Sequence, residues 1–225
     1  VAEGAFSLRY QPKYDLRSRR VTGAEALLRW EDRELGTVYP DEFILIAEQT
    51  GIITELSEWV LARVLEDQRV WRGGGLAISV SINLSGVDVL NAEFIDSVTE
   101  RIELATLPVD AVVLEVTETA MMADVELARS NMERVERLGI RISIDDYGTG
   151  FSSLAQRRTL PVRELKLDRS LVDTIADEEG DRLIVGSTIE MAHHLGLEVV
   201  AEGVENAEVL RVLDRMGCDL VQGYL

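Results

Sequence analysis

The chain of 225 residues is 46% hydrophobic, enough to bury a full core and within the range of a single α/β barrel, so one domain is the default. Its 41 acidic and 23 basic residues give a net charge of -18, which excludes a general nucleic-acid binder working through phosphate neutralisation. A lone cysteine, Cys218, excludes an intramolecular disulfide and fits a reducing cytoplasm, and no apolar stretch approaches the ~20 residues needed to cross a bilayer.

A strand is expected at about 6–10, followed by apolar β-rich runs at about 21–28, 76–84, 111–116, 140–144, 163–167, 197–201 and 219–221. Helical patterns lie between them at about 41–48, 52–72, 92–105, 124–138, 181–195 and 207–216. Strands alternating with helices predict parallel pairing, and eight strands is the count for a (β/α)₈ barrel, with a doubly wound open sheet as the alternative. Arg72-Gly73-Gly74-Gly75 reads as a helix-to-strand turn. In Leu138-Gly139-Ile140, Leu195-Gly196-Leu197 and Met216-Gly217-Cys218 a glycine stands where a helix ends and a strand begins, and glycine adopts the left-handed cap cheaply. From those glycines the strands run to Asp145, Glu202 and Gln222, so polar groups arrive at similar height on one rim. In barrels the carboxyl ends of the strands form the site.

Strand by strand, that rim carries Glu25 in Ala24-Glu-Ala-Leu-Leu-Arg29, Asn83, Glu115, the adjacent Asp145 and Asp146, Lys166 with Asp168, and Glu202. Neighbouring carboxylates repel and one takes up a proton unless a cation lies between them. Oxygen donors without Cys or His point to a hard cation such as Mg²⁺ or Mn²⁺ rather than zinc. The set exceeds what one Mg²⁺ takes from protein, which predicts two ions clamping a phosphoryl transfer. Each residue alone would be an unremarkable strand-end group capping a neighbouring helix or meeting solvent; their joint placement on one rim is what points to a metal site. Lys166 fits a structural partner for Asp168 as well as a functional group, and Arg29 fits a salt bridge as well as a phosphate oxygen. Gly148-Thr-Gly150 lacks the lysine of a phosphate-binding loop and reads as a loop beside the aspartates. His193-His194 reads as helix surface with a core contact, Cys218 as a buried strand residue, and Ser81, Ser85, Ser152 and Ser153 have no His base in the pattern.

At these residues the chain resembles the EAL-domain family of cyclic di-GMP phosphodiesterases, from Tyr10-Gln-Pro12 to Gln222-Gly-Tyr224. The likeness lies in Glu25-Ala-Leu27, Arg29, Asn83, Glu115-Val-Thr-Glu118, Asp145-Asp-Tyr-Gly-Thr-Gly150, Leu165-Lys-Leu-Asp168 and Glu202-Gly-Val-Glu205. It implies a (β/α)₈ barrel with one antiparallel strand that hydrolyses one phosphodiester of cyclic di-GMP to linear pGpG in bacterial second-messenger signalling. It further implies two divalent cations, Mg²⁺ or Mn²⁺. Glu25, Asn83, Glu115 and Asp145 would hold one; Asp145, Asp146 and Glu202 would serve the second, unless Glu202 acts on the water as a general base. Lys166 would position that water. Glu118 and Glu205 resemble the family's loop-supporting glutamates, and Gln11, Leu27, Arg29, Pro161, Asp168 and Gln222 its substrate contacts.

The resemblance also implies a homodimer, and the chain is expected in the cytoplasm with no nucleic-acid polymer as partner and no direct membrane contact of its own. The rival from another class is a receptor that binds cyclic di-GMP without turnover, but members of that kind lose site acids that this chain keeps; a purely structural dimerisation module is the third reading. Tyr147 and Phe151 stand where the family commonly has Phe and Tyr, a swap of similar volume. The family also continues past Gln-Gly-Tyr with helical sequence. Residues 1–225 are therefore expected to be an EAL domain cut from a longer multidomain protein, without its C-terminal end.

Overall fold

Side chains on a strand point alternately to its two faces, and in this chain the two sets differ sharply in chemistry. A computed structural model describes residues 5–148 and 161–224; the predicted loop residues Thr149, Gly150 and Phe151, and Ser152 and Ser153, lie outside them. The strands are β1 (Phe6–Asp15), β2 (Arg20–Asp32), β3 (Gly36–Val38), β4 (Ser79–Leu84), β5 (Val112–Thr117), β6 (Arg141–Tyr147), β7 (Glu164–Leu167), β8 (Glu198–Ala201) and β9 (Leu220–Gln222). The helices are α1 (Pro40–Thr50), α2 (Ile53–Gly73), α3 (Gly86–Leu90), α4 (Ala92–Leu104), α5 (Glu118–Met122), α6 (Val125–Arg137), α7 (Arg169–Val172), α8 (Glu179–His194) and α9 (Ala207–Met216).

Pairing runs β1-β9-β8-β7-β6-β5-β4-β2 and returns from β2 to β1, which closes eight strands into a barrel; β3 only extends the outer edge of β2. β1 is antiparallel to both its neighbours, while the remaining barrel pairs are parallel. The open-sheet alternative is excluded, because an open sheet leaves its edge strands unpaired.

The outward set is apolar. Ile82, Leu114, Ile144, Leu165 and Val199 pack against helix residues such as Leu61, Ile95, Met132, Ile189 and Leu213, and burying each contributes about 1.5–3 kcal/mol. A smaller cluster forms where β2 outruns the barrel: Phe6 stacks on Trp30 at 5.5 Å, with Phe43 of α1 edge-on to both. Gly139, Gly196 and Gly217 take φ of +82°, +76° and +78°, the left-handed caps expected from their positions. Cys218 is buried but precedes β9, and burial pushes its thiol up to about 12. His193 and His194 are both exposed on α8, His193 joined to Asp219 at 2.8 Å. Among the described residues no helix is long and apolar enough to cross a membrane.

Two loops at the carboxyl rim approach each other closely. Val204 N–H donates to the Gln222 carbonyl at 3.0 Å, and a Cβ placed on Gly223 would run into the Val204 backbone. Backbone cannot swing aside as a long side chain can. Gly223→Ala is therefore expected to cost about 3 kcal/mol, the upper end for overpacking, read as a lower urea midpoint with unchanged slope.

Candidate active site

The inward set is polar along almost the whole barrel. By strand parity it contains Gln11 and Lys13 on β1, Glu25 on β2, Ser81 and Asn83 on β4, Glu115 on β5, Asp145 on β6, Glu164 and Lys166 on β7, and Gln222 on β9. Glu202 directly follows β8. At the centre stands the Lys166 ammonium, 1% exposed, with Glu25 Oε2 at 3.2 Å, Glu115 Oε2 at 2.9 Å, Asp145 Oδ2 at 3.1 Å and Glu202 Oε1 at 2.7 Å. Asn83 donates Nδ2–H to Glu25 Oε1 at 2.7 Å. Gln222 donates to Glu25 Oε2 at 2.6 Å and to Gln11 Oε1 at 2.9 Å.

Glu25 does not end its strand. β2 continues to Asp32 because β1 and β3 pair with its far half, whereas the parallel ladder with β4 stops at Ala26, so Glu25 still lies at the barrel mouth. The aspartate pair sits on a bulge: Ile144 faces Leu165 and Tyr147 faces Leu167, leaving Asp145 and Asp146 opposite Lys166 alone. Asp146 has φ of +57° and its N–H donates to Asp145 Oδ1 at 2.9 Å. Aspartate tolerates that left-handed backbone better than most residues.

Other sequence-predicted residues divide into near and far. Glu25, Asp145, Lys166, Glu202, Gln11, Gln222 and Glu205 line one cavity of about 280 Å³. Leu27, Arg29 and Asn83 line a neighbouring, mainly apolar one of about 290 Å³. Arg29 Nη1 donates to the Leu28 carbonyl at 2.8 Å and, among the described residues, forms no ion pair. Asp168 is not the partner of Lys166: it caps α7, accepting from Ser170 N–H at 3.0 Å. Glu205 pairs with Arg169 at 2.8 Å, and Glu118 opens α5 directly after β5. Pro161 precedes the amino end of β7, whereas the site lies at that strand's carboxyl end, so the structure does not bring Pro161 to it.

Sequence reading missed Lys13 and Glu164. Lys13 Nζ, 3% exposed, donates to Ser81 Oγ at 2.8 Å, Glu115 Oε1 at 2.7 Å and Glu164 Oε1 at 2.8 Å. The signal was strand parity, since Lys13 stands two residues from Gln11 and Glu164 two from Lys166.

The electrostatics follow from one ammonium meeting several carboxylates out of water. Burial is the largest influence on Asp145, and with the negative charges of Glu115, Glu202 and Glu25 it overcomes the pull of Lys166 and pushes the carboxyl up to about 7. Glu202 is raised for the same reason, burial first. Glu115 goes the other way: burial would raise it, but Lys166 and Lys13 together hold it at about 2. Lys166 is raised well above the ordinary lysine value, because its four carboxylates outweigh burial. Asp146 is raised by burial and by the nearby charge of Asp168.

Carboxylate oxygens of Glu25, Glu115 and Asp145 all lie within 4.8 Å of one another. An all-oxygen set with surplus negative charge fits a hard divalent cation. Fold and site together define an α/β barrel with an acidic, cation-binding mouth at the carboxyl rim.

Comparison with known proteins agrees with that description. The chain belongs to the EAL domain family, whose model matches residues 1–225. It is 38% identical over 219 residues to the bifunctional diguanylate cyclase/cyclic di-GMP phosphodiesterase MucR of Pseudomonas aeruginosa, covering 97% of this chain and 32% of that protein. It is 41% identical over 226 residues to the cyclic di-GMP phosphodiesterase NbdA of the same organism, covering 100% of this chain and 29% of that one. The solved structure of the PaMucR phosphodiesterase in complex with c-di-GMP is similar with a TM-score of 0.92 at 37% identity, covering 98% of this chain and 90% of that chain. This chain thus spans just under a third of the length of those two curated relatives.

Because burial and the neighbouring carboxylates push the Asp145 carboxyl up to about 7 and a cation needs it ionised, Mn²⁺ binding should release a proton below that pH and weaken as pH falls. Calorimetry in two buffers of different ionisation enthalpy is expected to report about one proton released near pH 6 and almost none near pH 8.5.

Proposed function

We propose that this chain hydrolyses one phosphodiester bond of cyclic di-GMP to linear pGpG with the aid of two divalent cations, Mg²⁺ or Mn²⁺. The observation that carries the reading is the convergence of Glu25, Glu115 and Asp145 on one point beside Lys166, at the mouth of an EAL-family barrel. Glu25, Asn83, Glu115 and Asp145 would hold one cation, and Asp145, Asp146 and Glu202 the other. When bound, the cations supply positive charge to the phosphodiester oxygens and acidify the attacking water.

The side chains do the rest. The water oxygen bonds to phosphorus, the ribose oxygen departs, and one proton must leave the water while another reaches that ribose oxygen. Where Glu202 acts on the water instead of holding the second cation, it takes that first proton: burial raises its carboxyl, making it a stronger base than an ordinary glutamate, and it is less enclosed than Glu115. Lys166 has three N–H bonds and four carboxylates within reach, so it has an N–H to orient a water only where two of the carboxylates turn away from it. Gln11 and Gln222 present amides to the same cavity and Arg29 a guanidinium to its neighbour, groups suited to guanine edges and phosphate oxygens. The mostly acidic surface opposes a dianionic ligand, which makes bound cations a requirement for capture as well as for chemistry. A homodimer and a cytoplasmic setting belong to the same reading through the family resemblance.

Purified chain with Mg²⁺ or Mn²⁺ is expected to convert cyclic di-GMP to pGpG, with conversion lost on adding chelator. Binding that persists without conversion would instead identify a receptor. Glu25→Ala and Asp145→Ala should each lower turnover by about 100-fold or more, the scale of removing one preorganised electrostatic group, with the barrel still folded by circular dichroism. Calcium should support little turnover, because its longer and looser coordination holds reacting oxygens less tightly.

A further inference from the structure

Beneath the rim lies a second, closed layer of charge that the proposed chemistry does not touch. Lys13 on β1 and Glu164 on β7, strands separated by β9 and β8, point into the barrel and meet at 2.8 Å, both buried. All three N–H bonds of Lys13 are spent, on Glu164 Oε1, Ser81 Oγ and Glu115 Oε1. Glu115 is therefore gripped at both oxygens by different lysines: Oε1 by Lys13 from below at 2.7 Å, Oε2 by Lys166 at 2.9 Å. Opposite Lys13 on β2 stands Gly23, where an added Cβ would lie 3.7 Å from that of Lys13 and 2.8 Å from Ser79 Oγ.

We propose that Lys13 and Glu164 form a positioning pair that fixes the rotation of Glu115 and thereby sets the cation affinity of the Glu25, Glu115 and Asp145 cluster. A buried glutamate held at one oxygen can present only the other to the mouth, and the hydrogen bond that selects it comes from Lys13. A lone ammonium there would reduce the negative charge of the cluster. Glu164 cancels it, so the pair delivers a strong hydrogen bond while adding no net charge. Groups that orient a ligand in this way typically change metal affinity by 10–100-fold when lost. The inference rests on the cation-binding reading of the cluster, and Lys13 and Glu164 act only through Glu115.

The test is Mn²⁺ binding to metal-free protein without substrate, followed by the electron paramagnetic resonance of free Mn²⁺. Lys13→Met with Glu164→Met removes both charges at similar volume, an exchange that buried ion pairs often tolerate. Glu164→Gln keeps an acceptor for Lys13 but leaves its charge uncancelled. Each variant is expected to bind Mn²⁺ about 10–100-fold more weakly than wild type, with turnover recovering as Mn²⁺ is raised and the KM for cyclic di-GMP little changed. Should the double variant fail to fold, Glu164→Gln decides alone. Wild-type Mn²⁺ affinity in either folded variant overturns the inference. Glu115→Gln separates the two levels: if it binds Mn²⁺ as tightly as wild type, the cluster itself is misread, whereas weakened Glu115→Gln beside unaffected pair variants sinks the positioning role only.

Discussion

Everything at the mouth of this barrel depends on how one buried ammonium shares its charge. Lys166 is removed from water and faces four carboxylates between 2.7 and 3.2 Å away. At about 3 Å and an effective dielectric of about 20, an opposite pair attracts by about 5 kcal/mol, comparable with the several kcal/mol that burying each ion costs. One pair roughly balances; four carboxylates on one lysine do not. The shortfall falls unevenly, for Glu115 has a second lysine and stays ionised to about 2, while Asp145 lacks one and holds its proton to about 7. A cation is the natural complement of a site left short of positive charge in this way.

The reversed strand β1 makes the arrangement possible. A barrel of only parallel strands sends every carboxyl end to one rim, and each strand contributes to the mouth only its last inward residues. β1 runs against its neighbours and crosses that rim in the opposite sense, so its chain descends from Gln11 at the mouth to Lys13 below. One strand thereby serves both layers, offering an amide to the cavity above and an ammonium to the buried pair beneath.

Much of this was legible in the chain, for reasons that differ from part to part. The glycines at 139, 196 and 217 marked helix ends because left-handed backbone is costly for other residues, and counting from them led to Asp145, Glu202 and Gln222, which do converge. β1 was read at half its length, since its second half carries Gln11, Pro12 and Lys13 and looks like loop unless an inward polar face is expected. Lys166 and Asp168 looked like partners because extended spacing puts them on one side, but the strand ends at Leu167 and Asp168 turns to cap α7. The bulge at Asp145 and Asp146 depends on what faces it across the ladder, namely Lys166, and no local pattern encodes that register. Glu164 was passed over for a related reason: its meaning comes from a lysine more than a hundred residues away.

A polar barrel interior raises the question of what holds the fold together, and strand parity answers it. Odd-numbered residues of β5, such as Val113, Glu115 and Thr117, belong to the inward set, while Val112, Leu114 and Val116 join the main apolar cluster with the helices. On β7 the same division puts Glu164 and Lys166 inside and Leu165 and Leu167 outside. Because most of the apolar side chains lie between strands and helices, with Val113 among the few on the inward face, the barrel does not depend on a hydrophobic centre, and the interior is free to carry charge. The two sets occupy alternate positions of the same strands, so a one-residue slip in register would exchange them and bury carboxylates against the helices. The electrostatic cost of that exchange penalises misregistered barrels, which makes the acidic mouth a contributor to the uniqueness of the fold as well as to its chemistry.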